Sequence, residues 1–233
     1  MASGYRLRTG DVGPVQQSPV TCGSACLTVA RMLVNPAFAR WITTGEGPRV
    51  DAPPGATEQE RFAAYERVVM ARTNRVRAGG GRLNLPWPRA LGTPPWGARK
   101  ELEFGASRTG TQYELRPVRQ LTRRGLRTAH ARLVEVVADG EPALLYLGSA
   151  LLPRHVTLVL PGDGDRVLDV YDPATGQVTL LDEDRFANRK LGIAGWDVPW
   201  VTVQPDGTRT VQAFGFSTGM STASRTSGIS ASA

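Results

Sequence analysis

Residues 16–36 read QQSPVTCGSACLTVARMLVNP. From Ala25 to Val34 the apolar residues fall on more than one side of a helical projection, and Asn35-Pro36 closes the run, because the residue before a proline is pushed out of the α region. The stretch predicts a buried helix with Cys22 in its first turn. A thiol is a useful nucleophile only as the thiolate, and the free N–H groups and dipole of a helix start favour that anion. Gly23 would let a substrate backbone approach closely, and Gln16, six residues before Cys22, could lend a side-chain amide to a developing oxyanion.

Taken alone, a cysteine at a helix start is more often a small buried hydrophobe. The histidines change that balance. The chain has two, His130 and His155. His130 stands in an Arg-rich helical stretch and is expected to be a surface or half-buried residue. His155 opens the apolar run VTLVL, followed by PGDGDR and VLDVYDP. Asp163-Gly164 signals a type I′ hairpin, since both central residues of that turn need positive φ. A two-residue turn there predicts His155 directly opposite Asp172, with Cβ atoms about 4.5–5.5 Å apart. A carboxylate at that position would accept the Nδ1 proton of the imidazole and leave Nε2 to face the thiol. The other use of Asp172 is to open an Asp-Pro turn that merely ends the strand; Asp169 is the weaker candidate for orienting the histidine.

Outward from these segments, Thr57 and Glu60 form a capping box that opens a second helix, with Phe62, Tyr65, Val69 and Val76 as its apolar stripe, ending near Ala78–Gly81. A Pro- and Trp-containing stretch from Leu83 to Gly97 leads to a short helix that stops at Gly105. A strand is expected over Thr111–Val118 and a helix over Leu121–Ala138, closed by Asp139-Gly140. Pro142–Leu147, His155–Leu160 and Arg166–Asp172 are β-rich, and Val198–Val203 with Thr208–Phe214 predicts a hairpin across Pro205-Asp206-Gly207. Helices come first and an antiparallel sheet second, which is an α+β arrangement. Beyond Phe216 the Ser, Thr, Gly and Ala residues have little to bury and are expected to be disordered.

A chain of 233 residues with 41% hydrophobic residues can bury a proper core. Two cysteines are too few for a disulfide framework. Cys22 and Cys26, one helical turn apart, match no zinc spacing and are poorly aimed for bridging, so neither metal nor cofactor is called for. The start MASGYRLRTG has no apolar stretch, and the longest apolar run, Ala143–Leu152, is broken by Gly148 and Ser149. A soluble cytoplasmic protein without a membrane span is therefore expected. The net charge of +7 comes mostly from Arg spread along the chain, with only Arg116–Arg127 dense enough to make a patch. No aromatic residues interleave with that patch, which argues against nucleic acid and for a solvated helix face or a dock for an acidic partner.

The motifs QSPVTCGSACL, with Gln16 at the Gln-x5-Cys spacing, and VADGEPALLYLG, RHVTLVL and VLDVYDPATG resemble the bacteriocin-processing peptidases of family C39, bacterial papain-like domains that trim leader peptides. The resemblance spans about residues 14–40 and 111–180 and includes a second cysteine at Cys26. It implies a papain-like fold and a thiol protease acting on a peptide or protein, with Cys22 as nucleophile, His155 as general base, Asp172 as its orienter and Gln16 at the oxyanion hole. Thr21 and Val156 stand where the family often has Asp and an aromatic residue. Residues at about 43–110 read as an insertion without counterpart, so the expected organisation is one domain over 1–215 with that insertion, then a tail over 216–233. No transporter segment follows, so the chemistry is carried over and the double-glycine specificity is not. The same thioacyl chemistry also serves acyltransferases and deamidases of the papain fold, and a peptide-binding pseudoenzyme is the non-catalytic alternative.

Overall fold

The computed structural model describes residues 4–47, 50–75, 87–88 and 91–209. Helix α1 spans Cys22–Val34 and is buried at every position from Cys22 to Ala30. Burial on all sides explains why its sequence shows no single apolar stripe. The Asn35-Pro36 pair that ends α1 also starts α2 (Pro36–Thr44): the Asn35 side chain accepts the Phe38 N–H at 2.9 Å and Pro36 fills the first helical position. In the sequence the pair registers only as a stop. Helix α3 (Glu58–Thr73) opens with both halves of the Thr57/Glu60 capping box and ends at Thr73. Val76 and the Gly-rich run fall outside the described residues. Helix α4 (Pro95–Glu101) runs on into a π-helical turn, Leu102–Ala106, which passes through the expected stop at Gly105.

The remaining elements are β1 (Thr111–Pro117), α5 (Arg123–Ala138), β2 (Ala143–Gly148), β3 (Pro153–Val159), β4 (Leu168–Tyr171), β5 (Val178–Leu181), α6 (Glu183–Ala187) and β6 (Val198–Arg209). They form a six-stranded sheet in the order β1-β6-β2-β3-β4-β5, and every neighbouring pair is antiparallel. The fold is thus α+β. Leu144 and Tyr146 of β2 pack with α1, α2 and α3, whereas Ala143, Leu145 and Leu147 pack with α5 and α6. Covered on both faces, β2 reads as an unbroken apolar run instead of alternating. Each of these leucines contributes about 1.5–3 kcal/mol by leaving water.

Three expectations are corrected. Asp163-Gly164 is not a two-residue turn: β3 and β4 pair as Leu158↔Tyr171 and Val159↔Val170, and the chain between them is a longer loop in which Gly162 N–H donates to Val137 O at 3.2 Å. The helix end, which the turn chemistry ignored, pulls this loop out of a tight hairpin. Pro205-Asp206-Gly207 makes no hairpin either. It lies inside the single strand β6, where the register against β1 shifts between Thr111 and Tyr113 and Gly207 takes φ +86°. Glycine at positive φ serves a bulge here as well as it would a turn. Residues beyond Arg209, including Phe214 and the Ser/Thr-rich tail, lie outside the described residues. Finally, His130 is buried, its Nε2 3.3 Å from Leu181 O and its ring against Phe186. Strand β5 and helix α6, which supply both partners, were not foreseen.

Candidate active site

Cys22 is the first residue of α1. Thr21 occupies the N-cap but makes no side-chain cap bond, and the first helical bond runs from Ala25 N–H to Thr21 O. The N–H groups of Cys22, Gly23 and Ser24 consequently have no acceptor within the helix, which leaves donors for an anion at this end. The thiol is 3% exposed. One turn along, Cys26 Sγ lies 3.4 Å from Val156 O, so the first turn of α1 runs beside the start of β3, where His155 stands. Burial pushes the Cys26 thiol well above its ordinary range, with repulsion from Cys22 and Asp172 adding to it. Both cysteines are free.

The ring of His155 is hydrogen-bonded to Asp172, and the Cys22 thiol is among the groups that act on it. Nε2 lies 2.7 Å from Asp172 Oδ1, so Nδ1 is the ring nitrogen that the carboxylate does not engage. This reverses the nitrogens expected from the sequence, and the register explains the reversal. Continuing the β3–β4 pairing puts Thr157, not His155, opposite Asp172. His155 and Asp172 are diagonal neighbours on one face, about 7–8 Å apart at the backbone, and only the distal ring nitrogen reaches that far. A two-residue error in register preserved the face, so the pair survived while the geometry changed.

Both members are nearly buried, His155 at 6% and Asp172 at 5% exposure. Burial disfavours the imidazolium, but the hydrogen bond to Asp172 and the nearness of Cys22 outweigh it and raise His155 to about 9. Burial likewise opposes charge on Asp172, yet bonds from His155, the Ala174 N–H at 3.0 Å and the Thr175 hydroxyl at 3.2 Å hold its carboxyl below the ordinary value. Asp172 thus bonds the His155 ring and also accepts from the Asp-Pro turn that follows it. Asp169 instead accepts from the Thr9 hydroxyl.

Gln16 sits on the Gly13–Thr21 loop. Its N–H donates to Pro173 O at 2.8 Å, next to Asp172, and its side-chain Oε1 is buried with no partner among the described residues. The loop is fixed from behind by the Tyr171 hydroxyl on Pro14 O, Gln59 Nε2 on Val15 O at 2.9 Å, and the Gln17 N–H on both oxygens of Glu66 at 3.2 and 3.3 Å. Gly23 has a different use from the one expected. A Cβ there would stand 2.6 Å from Thr93 Cβ, so the space goes to Thr93, whose hydroxyl is 3.1 Å from Ser24 Oγ and whose carbonyl accepts from the Tyr146 hydroxyl at 3.0 Å. Glu66 and Thr93 both come from the segment read as an insertion. Glu66 was legible, since it lies four residues from Phe62 and three from Val69 on the apolar stripe of α3.

Among the described residues no group of three His, Cys, Asp or Glu side chains is placed to hold a metal ion, and no helix is long and apolar enough to cross a membrane. Part of the basic run meets acidic residues of the same chain: Arg127 pairs with Asp184 at 3.0 Å and with Glu183 at 3.4 Å. No protein-family model matches the chain, and no curated protein sequence does. Among solved structures the chain is similar to the peptidase domain of Streptococcus ComA, a bifunctional ABC transporter involved in a quorum-sensing pathway. It has 15% identity and a TM-score of 0.37 over 83% of this chain and 97% of that one. It is also similar to the Pseudomonas avirulence protein AvrPphB, with 13% identity and a TM-score of 0.44 over 82% of this chain and 95% of that one.

Proposed function

We propose that this chain is a papain-like cysteine peptidase that cleaves a peptide or protein through a thioacyl intermediate on Cys22. The observation that supports the reading is the buried His155 imidazole, 2.7 Å from Asp172 Oδ1 and near enough to Cys22 for the thiol to act on its titration. Cys22 Sγ gives its proton to His155 Nδ1, and the thiolate attacks the scissile carbonyl carbon. The resulting oxyanion takes hydrogen bonds from the unpaired N–H groups at the start of α1 and from the Gln16 amide. Collapse of the adduct expels the amine, which receives the proton from His155. Water, deprotonated by the same nitrogen, then releases the acid and restores the thiol. Asp172 keeps Nε2 protonated throughout and so leaves Nδ1 as the working nitrogen.

The test is to incubate the protein with a mixed peptide library and read the products by mass spectrometry, alongside Cys22→Ala, His155→Ala and a Cys26→Ala control. Cleavage lost in the first two variants and kept in the third is the expected result. Intact peptides with the unaltered protein, together with equally slow iodoacetamide labelling of both cysteines, would remove the nucleophile and leave a peptide-binding protein.

A further inference from the structure

A histidine that hands its proton to the departing amine must have the leaving segment of the substrate beside it. The part of the fold that leads into His155 is the β2–β3 turn, Ser149–Leu152, followed by Pro153 and Arg154. Hydrogen bonds fix this turn from inside and outside. Ser149 N–H donates to Leu152 O at 3.0 Å, and Ser149 Oγ accepts the N–H groups of Leu151 and Leu152, both at 3.2 Å. Trp200 Nε1 donates to Ser149 O at 2.9 Å. Arg119 donates to Ala150 O at 2.7 Å, with its guanidinium 5.4 Å from the centre of the Trp200 ring.

The turn is held from several sides, yet its two leucines face water, Leu151 at 83% and Leu152 at 42% exposure. Arg154 is exposed as well. It is the extra residue of a β-bulge: β2 takes one step from Leu147 to Gly148 while β3 takes two, from His155 to Pro153. Such bulges re-aim side chains beside active sites. Among the described residues the Arg154 side chain makes no hydrogen bond or ion pair. In the basic run, by contrast, Arg116 meets Glu114, Arg119 meets Ala150 O, and Arg127 meets Glu183 and Asp184. That run is largely engaged within the chain, and the cation left open next to His155 is Arg154.

We propose that Arg154 and the Leu151–Leu152 pair form the surface that receives the leaving segment, and that this segment carries a carboxylate and an apolar side chain. The proposal rests on the peptidase reading above. The carboxylate is an Asp or Glu side chain or the terminus of a short peptide, because a guanidinium grips either one by the same paired hydrogen bonds. The turn is ordered before substrate arrives, so little freedom is lost there on binding.

By microscopic reversibility, the surface that binds a leaving amine also binds an amine that attacks the acyl-enzyme, so the leaving side can be read without knowing the substrate. Cys22 of the full chain is acetylated with 4-nitrophenyl acetate, excess reagent is removed, and dipeptide amines are added at about pH 8, where α-amines are about half neutral. The amine nitrogen attacks the thioester carbonyl carbon, the C–S bond breaks, and the ammonium proton passes through His155 to the thiolate. Mass spectrometry gives the ratio of N-acetyl dipeptide to acetate for each amine. Glutamyl-leucinamide should exceed glutaminyl-leucinamide by about threefold, the scale of one exposed ion pair, and should likewise exceed glutamyl-glycinamide. Glycyl-leucine set against glycyl-leucinamide shows whether a terminal carboxylate serves in place of the side chain. Arg154→Gln should erase the acid preference, and Arg154→Glu should turn it toward arginyl-leucinamide. Equal ratios within the acid–amide pairs or the leucine–glycine pair, release of the acetyl group to water alone, or an acid preference that survives Arg154→Gln overturns the proposal and leaves the peptidase reading standing. If Cys22 is not acetylated, the peptidase reading falls and takes this one with it.

Discussion

Asp172→Asn tests the charged core of the site through stability alone, independent of any substrate. His155 is held at about 9 in the folded protein against an ordinary 6.5. A shift of this size is worth about 3 kcal/mol at 1.36 kcal/mol per pH unit. Side-chain exposures of 6% and 7% for His155 and Asp172 leave little solvent to screen the pair. The sign follows from proton binding. Folded His155 holds its proton more tightly than the unfolded chain does, so the stabilisation is complete below pH 6.5 and is lost as pH rises through about 9. Asparagine keeps an oxygen for the Ala174 N–H but removes the charge that sustains the imidazolium. Urea unfolding followed by tryptophan fluorescence should give a gap between the two proteins of about 2–3 kcal/mol near pH 6, shrinking to about 1 kcal/mol or less near pH 9.5. Groups common to both proteins cancel in that difference. A gap that is constant or widens with pH would mean that His155 is not held charged by Asp172.

Iodoacetamide at about pH 6–7 should modify Cys22 well before Cys26, because only Cys22 sits at the helix start beside an imidazolium; labelling at equal rates counts against the thiolate. Cys26→Ala should lower stability by about 1 kcal/mol through lost packing, read by thermal unfolding, and leave peptide cleavage unchanged. Glu66→Gln should gain stability over the unaltered protein as pH rises from 4.5 through about 7, since a carboxyl raised by burial costs the fold more once it must ionise. An advantage independent of pH would show that Glu66 does not titrate there. Arg61→Met should destabilise by about 3 kcal/mol in urea unfolding, because the buried guanidinium donates to Ile42 O, Thr43 O, Gly55 O and Ala56 O, and a loss below about 1 kcal/mol would show water replacing it.

What could be read from the sequence followed local rules with strong physical signatures. The capping box at Thr57 and Glu60, the helix start at Cys22 and the apolar strand at Ala143–Leu147 all appear where those rules put them. The failures share a cause. Asp163-Gly164 and Pro205-Asp206-Gly207 carry turn chemistry, but loop length and strand partners decide whether a turn forms. Here Gly162 is drawn to the end of α5, and Gly207 is absorbed into a bulge against β1. Helix α6 was missed although Asp182 caps it at Arg185 N–H, because five residues offer too little periodicity to register. The α+β order survived these errors because it depends on where the period changes, not on how each strand turns.

The segment from α3 to Thr93 shows what motif matching leaves out. Read against the C39 resemblance, residues 43–110 looked like an addition to a complete core. In the folded chain Glu66 of α3 holds the loop that carries Gln16, and Thr93 fills the notch that Gly23 opens beside Cys22. Tyr146 on the central strand closes the circuit by donating to Thr93 O. A cut made at the motif boundaries would leave the Gln17 N–H and the Tyr146 hydroxyl without acceptors, each at a cost of about 1–3 kcal/mol, and would uncover the first turn of α1. The residues assigned to the chemistry lie in the two segments that resemble a family, but Gln59, Glu66 and Thr93, which help to hold them in place, lie in the one that does not.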